Sequence, residues 1–295
     1  MTVSASRWAQ VLLWLVPALW ASNHVIARLA DGVIAPHALA LARWSLALLF
    51  MLPWVWRDLT KHAAALRQEW PRMLVLGALG MWICGAFVYQ GGRTTSVTNI
   101  GLFYAATPVL ISVVSVRLLH ERMSPAQWMG VALALFGVVF VIVKGEWQVL
   151  LQLHFTVGDV WIIAAAVAWV AYSVLLKRWA SALPPLARLA AITLGGITLL
   201  LPFTVIEWAL VPYPPFTLQA LWLVFLAALL PGVLSYGAFS FLQRELGASR
   251  TALLLYLAPV YGALLGWVLV GEAPQWYHAV GALFILPSIW FSTRR

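Results

Sequence analysis

Charged residues are scarce in this sequence. Asp, Glu, Lys and Arg make up 9% of its 295 residues, while 63% are hydrophobic and the mean hydropathy is +0.92. Soluble domains carry about 25% charged residues, which is enough to help cover their surface. This chain lacks the polar residues for such a surface. The composition therefore excludes a water-soluble domain and indicates a protein that folds in lipid.

Acidic residues are the rarest charged residues, and none lies in the middle of an apolar run. The nine acids, each in a loop or at the end of a run, are Asp31, Asp58, Glu69, Glu121, Glu146, Asp159, Glu207, Glu245 and Glu272. A charge at the bilayer centre costs about 2.5–3.5 kcal/mol, so a buried carboxylate would be a functional candidate. An exchanger of lipophilic cations for protons needs one. The sequence therefore favours a facilitator, or a carrier coupled in another way, for a neutral or zwitterionic solute.

Cysteine and catalytic motifs are also missing or nearly so. Cys84 is the only cysteine, which excludes a disulfide framework. The six histidines are scattered, and the sequence contains no HExxH motif and no nucleophile with a base at a fixed spacing. We therefore predict that the protein is not an enzyme and has no cofactor or metal ion.

The sequence does contain ten apolar runs of about 20 residues, the length that crosses a bilayer as a helix. They are residues 8–29, 36–56, 71–90, 96–118, 125–144, 158–177, 185–207, 218–243, 249–270 and 275–292. With a cytoplasmic N-terminus, thirteen basic residues lie on the inner side and three on the outer side, which is the usual bias of membrane proteins. The net charge of +9 thus indicates orientation rather than a nucleic-acid partner. We predict an all-α, multi-pass inner-membrane protein with ten transmembrane helices and both termini cytoplasmic.

The two halves of the chain carry matching residues at matching spacings. Pro108 precedes Glu121 by 13 residues, as Pro259 precedes Glu272, and each acid is followed by a glycine nine residues later. Near the front of each half, tryptophan, basic and proline residues match at a constant offset of 149. This ungapped match indicates an internal repeat.

Each repeat contains five runs, so the second repeat enters the membrane in the opposite orientation. We predict two inverted five-helix repeats, residues 1–147 and 148–295, which together form one membrane unit. Inverted repeats are common among secondary transporters, which bind substrate near the midplane between the repeats.

Several segments, in this order, resemble the drug/metabolite transporter superfamily of the EamA type over nearly the whole chain. They are ALWASNHVIAR, ALARWSLALLF and ATPVL…ERMS in the first half, and GDVWIIAAAVAWVAYSVLLKR and LAPVYGALLGWVLVGE in the second half. The spans rich in Trp and Tyr are most similar to the YddG-type exporters of aromatic amino acids.

The resemblance implies export of small organic metabolites, which we expect to be amino acids including aromatic ones, by alternating access through a central cavity. The expected partners are this solute and membrane lipid, and a monomer is compatible with the sequence. Export of another metabolite (a nucleotide-sugar, purine or drug-like solute) and a channel-like facilitator remain alternatives.

Aromatic residues deep in the runs are the expected lining of the pathway, because an apolar pocket with few polar groups suits a solute with an aromatic ring. Trp20 and Trp169 are repeat mates and could face each other. Ordinary core packing is the alternative for each residue. The predicted pathway residues are Trp20, Asn23, His24, Trp82, Tyr89, Tyr104, Thr107, Trp169, Tyr172, Tyr236, Phe239 and Tyr256.

Arg43 is a cation that lies clearly inside an apolar run, residues 36–56. It is interpreted either as a clamp for a substrate carboxylate or as a structural tie to backbone carbonyls of neighbouring helices. Prolines within the runs are predicted to kink their helices, as hinges for alternating access or as fixed bends. They are Pro17, Pro108, Pro231 and Pro259.

Overall fold

Helices make up most of the chain, as expected where lipid leaves the backbone to satisfy its own hydrogen bonds. The computed structural model describes residues 3–210, 217–265, 267–268 and 273–293, and this part of the chain contains no β-strand. We label the helices α1 (Val3–Ala30), α2 (Pro36–Lys61), α3 (Ala63–Gly91), α4 (97–118), α5 (Pro125–Ile142), α6 (Val157–Arg178), α7 (Pro185–Leu210), α8 (Leu218–Leu246), α9 (Ala248–Leu265) and α10 (Trp276–Thr293). The first half of the chain comprises α1–α5 and the second half α6–α10.

Eight of these helices, α2 to α9, are long and apolar enough over the described residues to cross a membrane. Within α1, a shorter apolar helix spans Val11–Asn23. The described chain thus supports several membrane crossings. The predicted total of ten crossings and the cytoplasmic position of both termini stay predictions.

The third helix begins earlier than its hydropathy predicts. We expected the run to start at residue 71, but α3 starts at Ala63, with only His62 between it and α2. Arg67 and Glu69 lower the hydropathy of this turn, although Arg and Glu are good helix formers. A hydropathy pattern therefore misses the polar start of a helix that extends beyond the apolar layer.

Two helices contain wider π-helical turns at corresponding places in the halves. In α3 the π-helix spans Ala78–Phe87, and in α8 it spans Leu229–Leu234. The offset of 149 places Leu229 on Gly80. Pro231 lies within the second π-helix, where it removes a backbone donor. π-Helical distortions within α-helices are frequent at functional sites.

The helices α4 and α9 are interrupted just before the matched prolines. In α4 the helix breaks at Ala106 and restarts at Thr107, so Pro108 occupies the first turn of the new segment. In α9 a 3₁₀ segment, Leu253–Leu257, precedes Pro259. Proline is tolerated in a first turn, where its missing N–H would be unpaired anyway. Pro17, in contrast, lies inside the continuous helix α1.

Helices of the two halves interleave. α2 and α3 pack against α7, α1 packs against α8 and α9, and α5 packs against α10. Glycines permit the closest approach between α3 and α7, since a Cβ on Gly77 would collide with the backbone nitrogen of Gly196. Small residues at such crossings are typical of membrane helix packing. The junction of the two halves is therefore the centre of the buried core.

Candidate functional site

Six aromatic side chains from four helices meet at the junction of the two halves, and we call them the aromatic cluster. They are Trp20 of α1, Trp44 of α2, Trp169 and Tyr172 of α6, and Tyr236 and Phe239 of α8. The ring centroids of Trp20 and Trp169 are 5.2 Å apart in an edge-to-face arrangement. Phe239 lies 5.1 Å from Trp20, measured between ring centroids. Edge-to-face pairs add about 0.5–1.5 kcal/mol beyond the area that they bury.

The π-helix of α3 holds two rings of the cluster. The hydroxyl of Tyr236 donates a hydrogen bond to the carbonyl of Gly80 at 2.9 Å. The indole Nε1 of Trp44 donates to the carbonyl of Met81 at 3.1 Å. Gly80 also leaves room for the ring of Tyr172, since a Cβ there would lie 2.7 Å from the ring atom Cε2. The distorted turn therefore sets the positions of aromatic residues from three other helices.

A hydrogen-bonded group of three polar side chains, Asn23, Arg43 and Tyr89, joins α1, α2 and α3. Nη1 of Arg43 donates to Oδ1 of Asn23 and to the hydroxyl of Tyr89, both at 3.1 Å. The Tyr89 hydroxyl also donates to Oδ1 of Asn23 at 3.0 Å. We call these residues the polar triad. Nη1 of Arg43, Oδ1 of Asn23 and the Tyr89 hydroxyl thus satisfy one another, as polar groups at this depth require.

The guanidinium of Arg43 connects the polar triad to the aromatic cluster. Its Cζ lies 4.6 Å from the ring centroid of Trp44, within cation–π range. Trp44 in turn packs edge-on against Tyr236, with 4.9 Å between the ring centroids. The expected structural partners of Arg43 were backbone carbonyls, but its hydrogen-bond partners in the described chain are side chains.

The structure brings five of the predicted pathway residues into the aromatic cluster and two into the polar triad. The one cluster member absent from the prediction is Trp44. Its sequence signal was its place directly after Arg43, which puts it at the same depth in the second span. Trp20 and Trp169 face each other in the structure, as their positions in the two repeats predict. Their role in transport stays a prediction.

Other predicted pathway residues lie elsewhere. Trp82 stacks on Phe203 of α7, with 4.2 Å between ring centroids. Tyr256 is buried in a separate core cluster with Val131 of α5 and Ile285 of α10. These contacts put both residues outside the aromatic cluster.

Two more predicted residues mark the break in α4. The hydroxyl of Thr107 donates to the carbonyl of Tyr104 at 2.8 Å, which stabilises the interrupted turn. Thr107 is buried and Tyr104 is half-buried. The remaining predicted residue is His24, whose side chain lies outside the described part of the structure.

Carboxylates hold the two halves together at the helix ends. Glu121 of the first half accepts from the backbone nitrogens of Ala248 and Ser249 at 2.8 and 2.9 Å, at the N-terminus of α9. Glu207 of the second half accepts from the backbone nitrogens of His37 and Ala38 at 3.0 and 3.2 Å, at the N-terminus of α2. A negative charge at a helix N-terminus is favourable.

Two further carboxylates bridge the halves in the same way. Glu69 of α3 accepts from the hydroxyl of Ser181 at 2.5 Å and from the backbone nitrogen of Ala182 at 3.0 Å. Asp159 of α6 accepts from the Thr95 hydroxyl and from Nδ2 of Asn99. These four acids are thus engaged at helix ends and loops. No ion pair joins a carboxylate to Arg43 in the described chain.

Metal-binding side chains are not grouped in the described chain. Over the residues that the structure describes, no three or more His, Cys, Asp or Glu side chains come together in a way that could hold a metal ion. The aromatic cluster and the polar triad consist of aromatic rings, a buried guanidinium and neutral polar groups.

Comparison with known proteins identifies the architecture. A protein with a crystal structure superimposes with a TM-score of 0.78 at 22% identity, over 97% of this chain and 96% of the other, which shows a shared fold. An uncharacterized transporter of Archaeoglobus fulgidus is 24% identical over 97% of both chains. A relative in Streptantibioticus cattleyicolor, described as a probable terminal-alkyne amino-acid exporter, is 25% identical over 77% of this chain and 74% of its own. The model of the EamA-like transporter family matches residues 7–143 and again residues 156–294, so this chain belongs to that family of multi-pass membrane transporters.

Proposed function

We propose that this transporter exports amino acids, aromatic ones included, with a specificity of the YddG type. The observation that carries the proposal is the aromatic cluster at the junction of the two halves, next to the buried cation Arg43. Rings of Trp, Tyr and Phe can stack on the side chain of an aromatic solute, and Trp and Tyr add polar atoms that orient it. The relative described as an amino-acid exporter supports the same class of solute.

The proposed mechanism is alternating access through a cavity that opens between the halves, without coupling through a buried carboxylate. Helices interrupted or distorted at matching places, α3 with α8 and α4 with α9, support this mechanism. Discontinuous helices in corresponding parts of two repeats commonly flank the substrate site of secondary transporters.

Counterflow in proteoliposomes tests the proposed substrate class. The purified full chain is reconstituted in liposomes loaded with unlabelled tryptophan, and entry of labelled tryptophan, phenylalanine, threonine and methionine is measured. We expect protein-dependent counterflow that is strongest for the aromatic amino acids. Empty liposomes and the Trp54→Ala variant serve as controls, because Trp54 is 78% exposed and lies ten residues, about 15 Å along α2, from Trp44, the cluster ring in the same helix. Loss of all amino-acid flux, with flux of a purine or a nucleotide-sugar instead, would overturn the proposal.

The proposed architecture is two inverted repeats, residues 1–147 and 148–295. The protein lies in the inner membrane, and both of its termini are on the cytoplasmic side. Because Cys84 is the only cysteine, Cys84→Ser yields a cysteine-free chain that keeps a donor toward the carbonyl of Ala165. In that background, a cysteine at Arg93 should react with a membrane-impermeant thiol reagent on intact spheroplasts. A cysteine at Arg122 should react only after the membrane is permeabilised. The reverse pattern would overturn the proposed orientation.

A further inference from the structure

Arg43 is a deeply buried cation, and three of its five N–H donors make no hydrogen bond to a described residue. Arg43 is 4% exposed, and both of its hydrogen bonds to described residues leave from the same nitrogen, Nη1. Nε is buried and has no hydrogen-bond partner. No hydrogen bond leaves from Nη2 to any described residue. The guanidinium is therefore oriented through Nη1. Nε and Nη2 form the opposite edge, which makes no hydrogen bond to a described residue and which we call the open edge.

The open edge of Arg43 has the shape that a carboxylate requires. The N–H groups of Nε and one N–H of Nη2 are parallel, and such a pair binds the two oxygens of a carboxylate in a fork-to-fork arrangement. Buried polar groups in native structures are nearly always hydrogen-bonded, and an unpaired one costs free energy. An unpaired charged donor at this depth, with no acid of the described chain paired to it, points to an anionic partner that arrives from outside the protein.

The surroundings fix the direction of Arg43. Asn23 and Tyr89 bind Nη1 from α1 and α3, so the guanidinium cannot rotate freely about its last bonds. Trp44 covers the guanidinium at 4.6 Å from Cζ to its ring centroid. These contacts hold the open edge in place before a ligand arrives, which lowers the entropic cost of binding.

The aromatic cluster lies next to the guanidinium of Arg43. Trp44, which contacts the guanidinium, also packs on Tyr236, and Tyr236 lies 5.8 Å from Trp169 between ring centroids. A solute with a carboxylate close to an aromatic or apolar side chain would reach both sites at once. An aromatic amino acid has this pattern, with its ammonium group able to rest on the aromatic faces.

We propose that the Nε–Nη2 edge of Arg43 binds the carboxylate of the transported solute. The polar triad is the frame that orients it. This inference rests on the proposed function and narrows it: the cargo is a solute with a carboxylate beside an apolar or aromatic group. The carboxylate is the required group, and the ammonium is not. Arg43, a buried cation without an acid partner in the described chain, thus binds an anionic group of the transported solute.

Competition by analogues on the unaltered protein is the first test, since it requires no variant to fold. Unlabelled tryptophan, N-acetyltryptophan, tryptophanamide and tryptamine compete with labelled tryptophan in the counterflow assay. Because the two last compounds lack a carboxylate, we expect their half-inhibition concentrations to exceed that of tryptophan about ten- to a hundredfold, the size of a charge-assisted hydrogen-bond pair. N-acetyltryptophan keeps the carboxylate and should compete well. Equal competition by tryptophanamide and tryptophan would overturn the inference while leaving amino-acid export intact.

Variants of Arg43 are the second test. Arg43→Gln removes the charge, and Arg43→Lys keeps the charge but loses the forked edge. Both should raise the half-saturation concentration for tryptophan and reduce the preference for tryptophan over tryptophanamide. Trp54→Ala, at a residue that is 78% exposed and outside both the polar triad and the aromatic cluster, is the control and should retain that preference. If Arg43→Gln lowers flux but leaves the preference of the wild type, Arg43 is only a structural tie and the inference is wrong.

Direct binding separates the inference from the proposed function. The same four compounds are added to the purified full chain in detergent, and the shift of its thermal unfolding midpoint is measured. We expect stabilisation by tryptophan and N-acetyltryptophan and little by tryptophanamide or tryptamine. Carboxylate-selective binding without any flux would overturn the export proposal and keep the inference. The absence of selective binding by both carboxylates would overturn the inference.

Discussion

Trp20 of α1 and Trp169 of α6 meet edge to face, with 5.2 Å between their ring centroids. They occupy equivalent positions in the two halves of the chain, at an offset of 149. Two copies of one sequence position thus meet where the halves join. A pair of this kind contacts both halves at once, and any opening between the halves must change its surroundings.

Replacing one tryptophan of this pair by phenylalanine should change the preference among cargo molecules more than the stability of the protein. Trp20→Phe and Trp169→Phe each keep an aromatic ring and lose part of the edge-to-face contact. We expect the half-saturation concentration for tryptophan to rise about two- to tenfold, the equivalent of one aromatic pair. Threonine, which has no ring, should be affected less. Counterflow with both amino acids measures the ratio, and Trp54→Phe is the exposed control. An unchanged ratio in both variants would remove the cluster from the pathway.

Much of this arrangement is readable from the sequence, because the information is periodic. Apolar runs predict the helices, and the offset of 149 pairs Trp20 with Trp169. Hydropathy could not predict the start of α3, because Arg67 and Glu69 form helix outside the apolar layer. It also could not predict the π-helix over Ala78–Phe87, whose carbonyls bind side chains of other helices.

The contacts within the polar triad also could not be predicted from the sequence. Asn23 and Tyr89 were expected on the pathway, and Arg43 was expected to be a carboxylate clamp or a tie to carbonyls. Their mutual hydrogen bonds depend on how three helices cross, which no spacing within one helix encodes. Likewise, the sequence could not show that Trp82 stacks on Phe203 or that Tyr256 is buried in a cluster with Ile285, because these contacts depend on how the helices are rotated. Their place on the pathway stays a prediction.

Glu121 should stabilise the junction of the halves through the N-terminus of α9. Its carboxylate accepts two backbone hydrogen bonds, from Ala248 and Ser249, that no other described group accepts. Glu121→Ala should therefore lower the free energy of unfolding by about 1–3 kcal/mol, the cost of leaving such donors unpaired. The midpoint of thermal unfolding in detergent measures the change. Glu146→Ala is the matched control, because Glu146 is exposed and makes no side-chain hydrogen bond with a described residue. Equal midpoints for the two variants would contradict the bridging role.

Gly77 should tolerate no side chain, because α3 and α7 touch through their backbones. A Cβ on Gly77 would lie 2.6 Å from the carbonyl oxygen of Ile192 and would also meet Gly196. Backbone atoms cannot rotate away, so Gly77→Ala should destabilise the protein by about 1–3 kcal/mol, as overpacking does. Gly237→Ala is the control in α8, where a Cβ would meet no atom within 4 Å. There the loss of a flexible glycine within a helix should be neutral or stabilising. A stable Gly77→Ala variant would show that α3 and α7 separate more easily than their packing indicates.

Net uptake of tryptophan should not depend on a proton gradient, because the described carboxylates that bridge the halves are engaged at helix ends and loops. Glu207 is one of them: it accepts from the backbone nitrogens of His37 and Ala38 at the start of α2. Its protonation would weaken that contact but would not place a proton beside the aromatic cluster. Proteoliposomes with a pH gradient, and the same vesicles after an ionophore collapses it, should therefore show equal initial rates of net tryptophan uptake when the vesicles contain no tryptophan at the start. Glu207→Gln should alter the rate equally under both conditions, since its effect is on packing. A rate that falls when the gradient collapses, and that no longer falls in Glu207→Gln, would identify Glu207 as a coupling group and replace the facilitator with a proton-coupled carrier.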